Sequence, residues 1–356
     1  MKKLLRILLT GTVLILLSGI LISCGGEKAT ASNDESEVLP SYRIRVSLCN
    51  AEDHPQSLGA KLMKEYIEEE TNGRVTVSLH LNSQLGAERE SVEQVQHGAL
   101  EMATASAGPL TTFDKNMMVL DIPFAFDSYE QAWMVLDSHA GQELFKSLES
   151  VGLKGLAYME NGFRQTTNNV RPITKPEDFD GIKLRTMEAP MHMENFAQLG
   201  ANPTPVPWSE LYQTLSQNIV DGQENPLANL WEIQLWEVQE YVSLTNHIYD
   251  PMPLVTNLKW FEGLPAGDQL IISKAAILGQ NLSRFINKER EDVLKESLVE
   301  KGMQVNELSA KELSVFRDKS QSAVVAKIKS EIDGAFVDNW LESIKKANAE
   351  ILQGVK

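Results

Sequence analysis

Apolar and polar positions alternate between two periodicities from about residue 42 onward. Apolar residues at every second position predict strands over 43–48, 75–81 and 100–106. This spacing is typical of strands because successive side chains of a strand point to opposite faces. Apolar residues three or four positions apart predict helices between these strands, over 58–71 and 87–97. Such a succession is typical of an α/β protein with largely parallel sheets.

A second cycle of elements follows the first and indicates a second lobe. Its segments, in chain order, are predicted strands over 153–160, 162–168 and 181–185, a helix over 191–199, an extended segment over 203–208, and a helix over 227–237. A chain of 356 residues is also long for a single core. We therefore expect two α/β lobes, with the chain crossing between them more than once.

One long helix is predicted near the C-terminal end. Apolar residues keep a helical spacing from Ala266 to Glu300, with Gly279 as the internal breaker. At 1.5 Å per residue this helix would be about 50 Å long, which exceeds the width of a small domain. We expect it to run along both lobes and brace them. The predicted first lobe is 41–162 with 251–290, and the second is 163–250 with 291–356.

The N-terminal residues have the pattern of an export signal. Residues 1–23 combine a basic start, an apolar run from Ile7 to Leu17 and a small residue, Ser23, at the end. Cys24 follows directly, as in a bacterial lipobox, which would imply cleavage before Cys24 and lipidation of its thiol. A plain secretory signal and a short anchor remain alternatives. Residues 24–40 are rich in small and acidic residues and predict a flexible tether.

Charge and missing motifs exclude several functions. The formal net charge is −16, so the phosphates of a nucleic acid would be repelled. Serine-hydrolase, phosphate-loop, dinucleotide-binding and Cys-x-x-Cys motifs do not occur, and the six histidines lack the paired spacing of a zinc site. Cys49 has no partner if Cys24 carries lipid, and we interpret it as a small buried apolar residue. We expect no enzyme activity, cofactor or metal.

Two arginines with apolar neighbours are the main candidates for ligand binding. Arg164 lies within 162–168 and Arg185 within 181–185. An arginine keeps its proton and needs an anion as partner when buried. That anion is either a ligand carboxylate or an internal carboxylate, for which Glu160, Asp178, Asp180 and Glu188 are near in sequence. The amide of Asn225, within 220–226, can both donate and accept.

Other candidates follow predicted strands or sit on a stiff segment. Asn50, Glu52 and His54 follow the first strand, and Ser106 ends the third; ligand-binding loops usually lie at such carboxyl ends. His54 is a candidate base or metal ligand, although plain hydrogen bonding is the simpler interpretation. Trp208 ends a proline-rich segment that cannot be helical and is suited to form one wall of a pocket.

Several segments together resemble one family, the substrate-binding proteins of tripartite ATP-independent periplasmic (TRAP) transporters, or DctP family. The resemblance extends from about Arg43 to the C-terminus and rests on residues 82–86, 162–168, 181–185, 200–205, 208–212 and 220–226. It implies a periplasmic binding protein-like fold, with two lobes around a ligand cleft, joined by crossing strands and a long helix. It also implies a small carboxylate-bearing solute and membrane permease subunits as partners.

The resemblance assigns roles to individual residues. Arg185 corresponds to the arginine that forms a bidentate salt bridge with the substrate carboxylate, Arg164 assists it, and Asn225 donates a hydrogen bond nearby. Trp208 matches a position that often places an aromatic ring against the ligand. Asn50 and Ser106 match cleft positions on the opposite lobe.

The identity of the acid is the least determined point. Acidic and imidazole side chains in the loop with Glu52 and His54 favour a sugar acid, such as a hexuronate or aldonate, over a C4-dicarboxylate. Ser106 replaces an acidic residue expected for sialic acid, and keto acids remain open. A sensor subunit of the same fold and a secreted enzyme with Glu52 or His54 as acid–base group are the other hypotheses. We expect a lipid-anchored, extracytoplasmic monomer.

Overall fold

A computed structural model describes residues 39–354 of the chain, and the described residues from Pro40 onward form one compact unit. The predicted signal peptide over 1–23, lipidation of Cys24 and nearly all of the tether over 24–40 lie outside the described residues. Among the helices that are described, none has the length and apolar character to cross a membrane.

The strands are short, and most agree with the predicted segments to within a few residues. They are β1 Tyr42–Ser47, β2 Val75–His80, β3 Met102–Thr104, β4 Leu153–Phe163, β5 Gln165–Asn168, β6 Lys183–Thr186, β7 Asn202–Pro205, β8 Gly222–Asn225, β9 Tyr241–Leu244, β10 Tyr249–Asn257 and β11 Gln304–Glu307.

The helices range from one turn to 35 residues. They are α1 Pro55–Glu70, α2 Glu88–Gln96, α3 Ala107–Leu110, α4 Tyr129–Asp137, α5 His139–Ser147, α6 Pro190–Leu199, α7 Leu211–Ser216, α8 Leu227–Glu232, α9 Leu258–Glu262, α10 Ala266–Glu300, α11 Ala310–Glu331 and α12 Gly334–Gly354. The helix predicted over 227–237 ends early, because Gln234 has a left-handed backbone with φ of 55°.

Two mixed sheets organise the described residues. The first has the strand order β2-β1-β3-β10-β4, and the second has the order β11-β9-β5-β8-β6-β7. In the first sheet β1 pairs in parallel with β2 and β3, whereas β10 is antiparallel to its neighbours. In the second sheet β6 pairs in parallel with β7 and β8. The predicted two-lobed α/β fold is thus confirmed, with more antiparallel pairing than expected.

Two of the crossings between the sheets lie close to one another, and a third runs from β10 through α9 and α10 to β11. Only Arg164 separates β4 of the first sheet from β5 of the second, and the return runs from β9 through residues 245–248 into β10. The helix α10 has the predicted boundaries and packs against α1 and β4 on one side and against α8 and β11 on the other. It therefore braces both sheets, as its length implied.

The C-terminal helices return to the first sheet. Phe316 of α11 packs in the core of the second lobe, but Trp340 and Ile344 of α12 join the core of the first lobe, and α12 packs on α4 and α5. The prediction that everything after residue 291 belongs to the second lobe differs from this packing. An amphipathic helix shows in sequence which face is apolar, but not which lobe covers that face. The other lobe boundaries stay a prediction.

Two glycines allow α1 and α10 to touch backbone to backbone. A Cβ atom on Gly279 would lie 2.7 Å from the carbonyl oxygen of Gly59, and one on Gly59 would meet the carbonyl oxygen of Gly279 and the methyl group of Met159. Real Cβ contacts are never this short, so neither position accepts a larger residue without movement of a helix. The internal breaker Gly279 thus has a packing reason.

We expect Gly59→Ala to lower the free energy of unfolding by about 1–3 kcal/mol, the usual cost of overpacking. The matched control is Gly267→Ala in the first turn of α10, where an added Cβ meets nothing within 4 Å; it should leave stability unchanged or raise it by up to about 1 kcal/mol. Urea unfolding of both variants measures the difference. Equal stabilities for the two variants would contradict the close crossing.

Candidate ligand-binding site

The ends of several strands from both sheets enclose one small cavity. It has a cavity volume of about 10 Å³. The described residues that line it are Cys49, Asn50, Glu88, Ser106, Asn161, Arg185, Met187, Trp208, Asn225, Asn229 and Met252. The carboxyl ends of the parallel strands β1 and β3 point to it from the first sheet, and those of β6, β7 and β8 from the second. Five of the predicted residues, Asn50, Ser106, Arg185, Trp208 and Asn225, are therefore brought together.

Arg185 is a buried cation without a carboxylate partner among the described residues. Its side chain is 1% exposed, Nε donates to the carbonyl oxygen of Val206 at 2.8 Å, and Nη1 is buried with no hydrogen-bond partner. Burial lowers the pKa of Arg185 to about 10. Glu224 and other carboxylates at longer range offset only part of this effect. Nη1 is thus a donor that only an anionic or polar guest in the cavity would satisfy.

Arg164 is equally buried but fully engaged with protein acceptors. Nε donates to Oε2 of Glu224 at 2.5 Å, and Nη1 donates to Oδ2 of Asp250 at 2.6 Å. Nη2 donates to Oδ1 of Asn225 at 3.1 Å, in addition to Glu224. Burial disfavours its charge, but Glu224 and Asp250 outweigh this effect and raise the pKa of Arg164.

These contacts give Arg164 a different position from the predicted one. It does not line the cavity, and the internal salt bridge weighed as an alternative exists, although with Glu224 and Asp250 rather than with neighbours in sequence. Arg164 instead fixes Asn225, whose Nδ2 donates to Oε1 of Gln223 at 2.6 Å. Its effect on a ligand would therefore pass through Asn225.

Buried histidines complete the charge balance behind the cavity. His192 contacts Glu224 at 3.4 Å through Nδ1 and Asp121 at 3.3 Å through Nε2, and His247 contacts Glu224 at 3.0 Å. Burial alone would lower the pKa of His192, but Glu224 and Asp121 raise it to about 9. For His247 the effect of burial prevails and its pKa falls. Glu224 therefore contacts Arg164 and two imidazoles, and at longer range it offsets part of the burial penalty of Arg185.

Trp208 forms a wall between the two lobes. It follows β7 and Pro207, begins a short 3₁₀ turn, and packs against the cores of both lobes. It lines the main cavity and a second one of similar volume, to which Glu88 and Arg185 also contribute. The proline-rich segment before it is extended, as predicted.

Two predicted ligand-binding residues do not reach the cavity. Glu52 is exposed, and His54 lines a separate pocket with Arg290. His54 instead caps α1, since Nδ1 accepts from the backbone N–H of Gln56 at 3.3 Å, while Nε2 contacts Oδ1 of Asn229. Burial lowers the pKa of His54 to about 4. Both predictions are corrected, because a residue that begins a helix turns toward that helix rather than toward the strand end before it.

Three polar residues of the cavity were missed. Glu88 begins α2, and its Oε1 accepts from the backbone N–H of Ser106 at 2.7 Å; burial raises its pKa. Asn161 donates from Nδ2 to Oδ2 of Asp250 at 2.8 Å, while its Oδ1 is buried without a partner. Asn229 lies on α8. The available signals were the position of Glu88 directly after the 82–86 motif and that of Asn161 at the end of a predicted strand.

Metal binding has no visible basis in this part of the chain. Among residues 39–354, no group of three or more His, Cys, Asp or Glu side chains is arranged to hold a metal ion.

Two lobes are joined by crossing strands, and the cavity between their strand ends is lined by a buried arginine with an unpaired donor. These features define a protein that binds a small anionic solute in a cleft. The chain belongs to the DctP family, bacterial extracellular solute-binding protein family 7, whose model matches residues 46–331. Members of this family bind small acids outside the cytoplasm and work with the membrane permease subunits of TRAP transporters. The resemblance inferred from the motifs is confirmed.

Similar proteins differ in the acids that they bind. The crystal structure of the sugar acid binding protein DctPAm from Advenella mimigardefordensis, in complex with galactonate, has a TM-score of 0.83 and 33% identity, covering 87% of this chain and 99% of that one. The 2,3-diketo-L-gulonate-binding protein YiaO of Escherichia coli is 32% identical over 75% of this chain and 81% of its own length. The C4-dicarboxylate-binding protein DctP of Rhodobacter capsulatus is 32% identical over 86% of this chain and 91% of its own length.

The two arginines should respond oppositely to replacement by methionine in the ligand-free protein. Arg164→Met leaves Glu224 and Asp250 buried without their cation, and should lower the free energy of unfolding by about 3–5 kcal/mol. Arg185→Met removes a buried charge that lacks a partner, and should leave stability unchanged or raise it. Urea unfolding of both variants tests this contrast. A loss for Arg185→Met as large as that for Arg164→Met would contradict it.

Proposed function

We propose that this protein captures a sugar acid with a single carboxylate, an aldonate or a hexuronate, and delivers it to the permease subunits of a TRAP transporter. The observation that carries the proposal is the unpaired Nη1 of Arg185 in an enclosed cavity. A ligand carboxylate would complete a charge-assisted hydrogen bond there, because a guanidinium matches the planar geometry of a carboxylate.

The remaining lining favours hydroxyl groups over a second carboxylate. Arg185 is the only cationic side chain among the described residues that line the cavity, whereas Glu88 places an acceptor there. Asn161 offers a buried, unpaired Oδ1, and the hydroxyl group of Ser106 donates to Sδ of Met252, a weak acceptor, at 3.2 Å. Hydroxyl groups satisfy such atoms as donors and acceptors, but a second carboxylate would be repelled by Glu88.

The relatives support this choice without deciding it. The solved structure that binds galactonate has the fold of this chain, and the relative named for 2,3-diketo-L-gulonate also binds a sugar acid. The relative named for C4-dicarboxylates has a similar identity, so overall similarity does not separate the two classes. The charge balance of the cavity is the argument that separates them.

The same geometry argues against the hypothesis of a secreted enzyme. That hypothesis used Glu52 or His54 as the acid–base group, but Glu52 is exposed and His54 is held as a helix cap beside another pocket. We therefore propose a binding function without catalysis. Recovery of chemically unchanged acid after prolonged incubation with the protein would support this, and product formation would overturn it.

We also propose that the mature protein is a monomer anchored to the membrane through lipid on Cys24. The support is the sequence Leu21-Ile22-Ser23-Cys24 after a basic start and an apolar run. Mass spectrometry of the protein from its native membrane should find an N-terminal, lipid-modified Cys24. A mature N-terminus at another residue would overturn the anchor.

The ligand class is tested by a thermal-shift screen with galactonate, glucuronate, succinate, sialic acid and pyruvate. We expect galactonate or glucuronate to stabilise the protein most, because each has one carboxylate for Arg185 and hydroxyl groups for the rest of the cavity. A ligand at 1,000 times its dissociation constant adds about 4 kcal/mol to the free energy of unfolding, which a thermal shift detects. Isothermal titration should then give at least tenfold weaker binding for succinate. Preferential binding of succinate would overturn the proposed ligand class.

Arg185→Met serves as the binding-deficient variant in the same screen. Loss of a buried charged partner typically costs about 3–5 kcal/mol, or about two to four decades in affinity. The matched control is Arg43→Met, which removes an exposed arginine on β1 and should bind as the wild type does. Binding by Arg185→Met within tenfold of the wild type would remove Arg185 from the site.

A further inference from the structure

Glu232 joins the two lobes at the rim of the cavity. It is the last residue of α8, and its Oε2 accepts from Nδ2 of Asn50 at 2.8 Å, while its Oε1 accepts from the backbone N–H of Ala51 at 2.6 Å. Both carboxylate oxygens are therefore used, and both donors come from one turn of chain. Asn50 itself lines the cavity.

The partners of this contact belong to different cores. Asn50 follows β1, and the adjacent Cys49 packs in the core of the first lobe. Glu232 ends a helix whose Leu230 packs with Val242 in the core of the second lobe. Rotation of one lobe away from the other would thus separate the carboxylate from its two donors.

A second contact of α8 strengthens the same junction. Asn229, one helical turn before Glu232, places its Oδ1 at 3.3 Å from Nε2 of His54, in the loop that also contains Asn50. Residues three apart lie on the same face of a helix. One face of α8 therefore holds the loop after β1 at two points, and the Glu232 contact uses both carboxylate oxygens.

We propose that Glu232 is a latch that holds the loop carrying Asn50 against α8 once the lobes have closed around the ligand, and so sets the residence time of the ligand. The proposal rests on the proposed function, since it describes closure of the same cavity. In an open state water would satisfy the carboxylate and both donors, so the latch contributes to the closed state rather than to the folding of either lobe. Glu232 thus acts as a positioning residue, through Asn50.

The latch is tested by stopped-flow binding of galactonate and of glucuronate to Glu232→Ala and Glu232→Gln. Glu232→Ala removes both acceptors and should speed dissociation at least tenfold, with little change in the association rate. Glu232→Gln retains one acceptor and should lie between the wild type and Glu232→Ala. The thermal midpoint of each ligand-free variant should match that of the wild type, which a merely structural role for Glu232 would not allow.

The matched control is Glu289→Gln, an exposed position on α10, which should dissociate as the wild type does. The latch would be overturned if the acid dissociated from Glu232→Ala at the wild-type rate, or if both ligand-free Glu232 variants had a lower thermal midpoint. Either outcome would leave the proposed function intact. If neither acid binds to the wild type, the proposed function fails, and the latch fails with it.

Discussion

A buried guanidinium must find an anion, and this constraint organises the centre of the molecule. Arg164 and Arg185 are both almost inaccessible to solvent. Arg164 meets the constraint internally through Glu224 and Asp250, whereas Arg185 has no carboxylate in hydrogen-bonding contact among the described residues. Of these two arginines, one therefore has completed ion pairs and the other does not. The other one faces the cavity, where a carboxylate from outside the chain would pair with it.

The fold makes this arrangement possible by bringing strand ends from two sheets to one place. Arg185 lies on β6, Asn225 ends β8, and both strands run in parallel in the second sheet. Asn50 and Ser106 follow strands of the first sheet. Because Arg164 is the single residue between β4 and β5, the internal ion pair lies at the crossing itself. The charge balance and the connection between the lobes thus depend on the same few residues.

Sequence periodicity predicted β1 to β7 and the long helix α10, but it missed β9, β10 and β11 and did not distinguish the two arginines. The boundaries of α10 were predicted correctly because a helical repeat extends over all 35 residues. The partners of Arg164 lie 60 and 86 residues away, and no local pattern indicates such pairs. Glu52 and His54 failed for a related reason: the position of a loop can be predicted from its strand, but the direction of its side chains depends on the helix that follows.

Closure of the cavity joins these features into one mechanism. Under the proposed function, a ligand carboxylate at Arg185 would be held by the second lobe, while Asn50 and Ser106 would present polar groups from the first. Trp208 packs against the cores of both lobes, so the closed form buries apolar surface as well as polar contacts. A ligand shifts the balance toward closure only to the extent that it binds the closed form more tightly. On this proposal, the unpaired Nη1 of Arg185 would favour acids as a class, and the contacts that form across the lobes would then govern how long an acid stays bound.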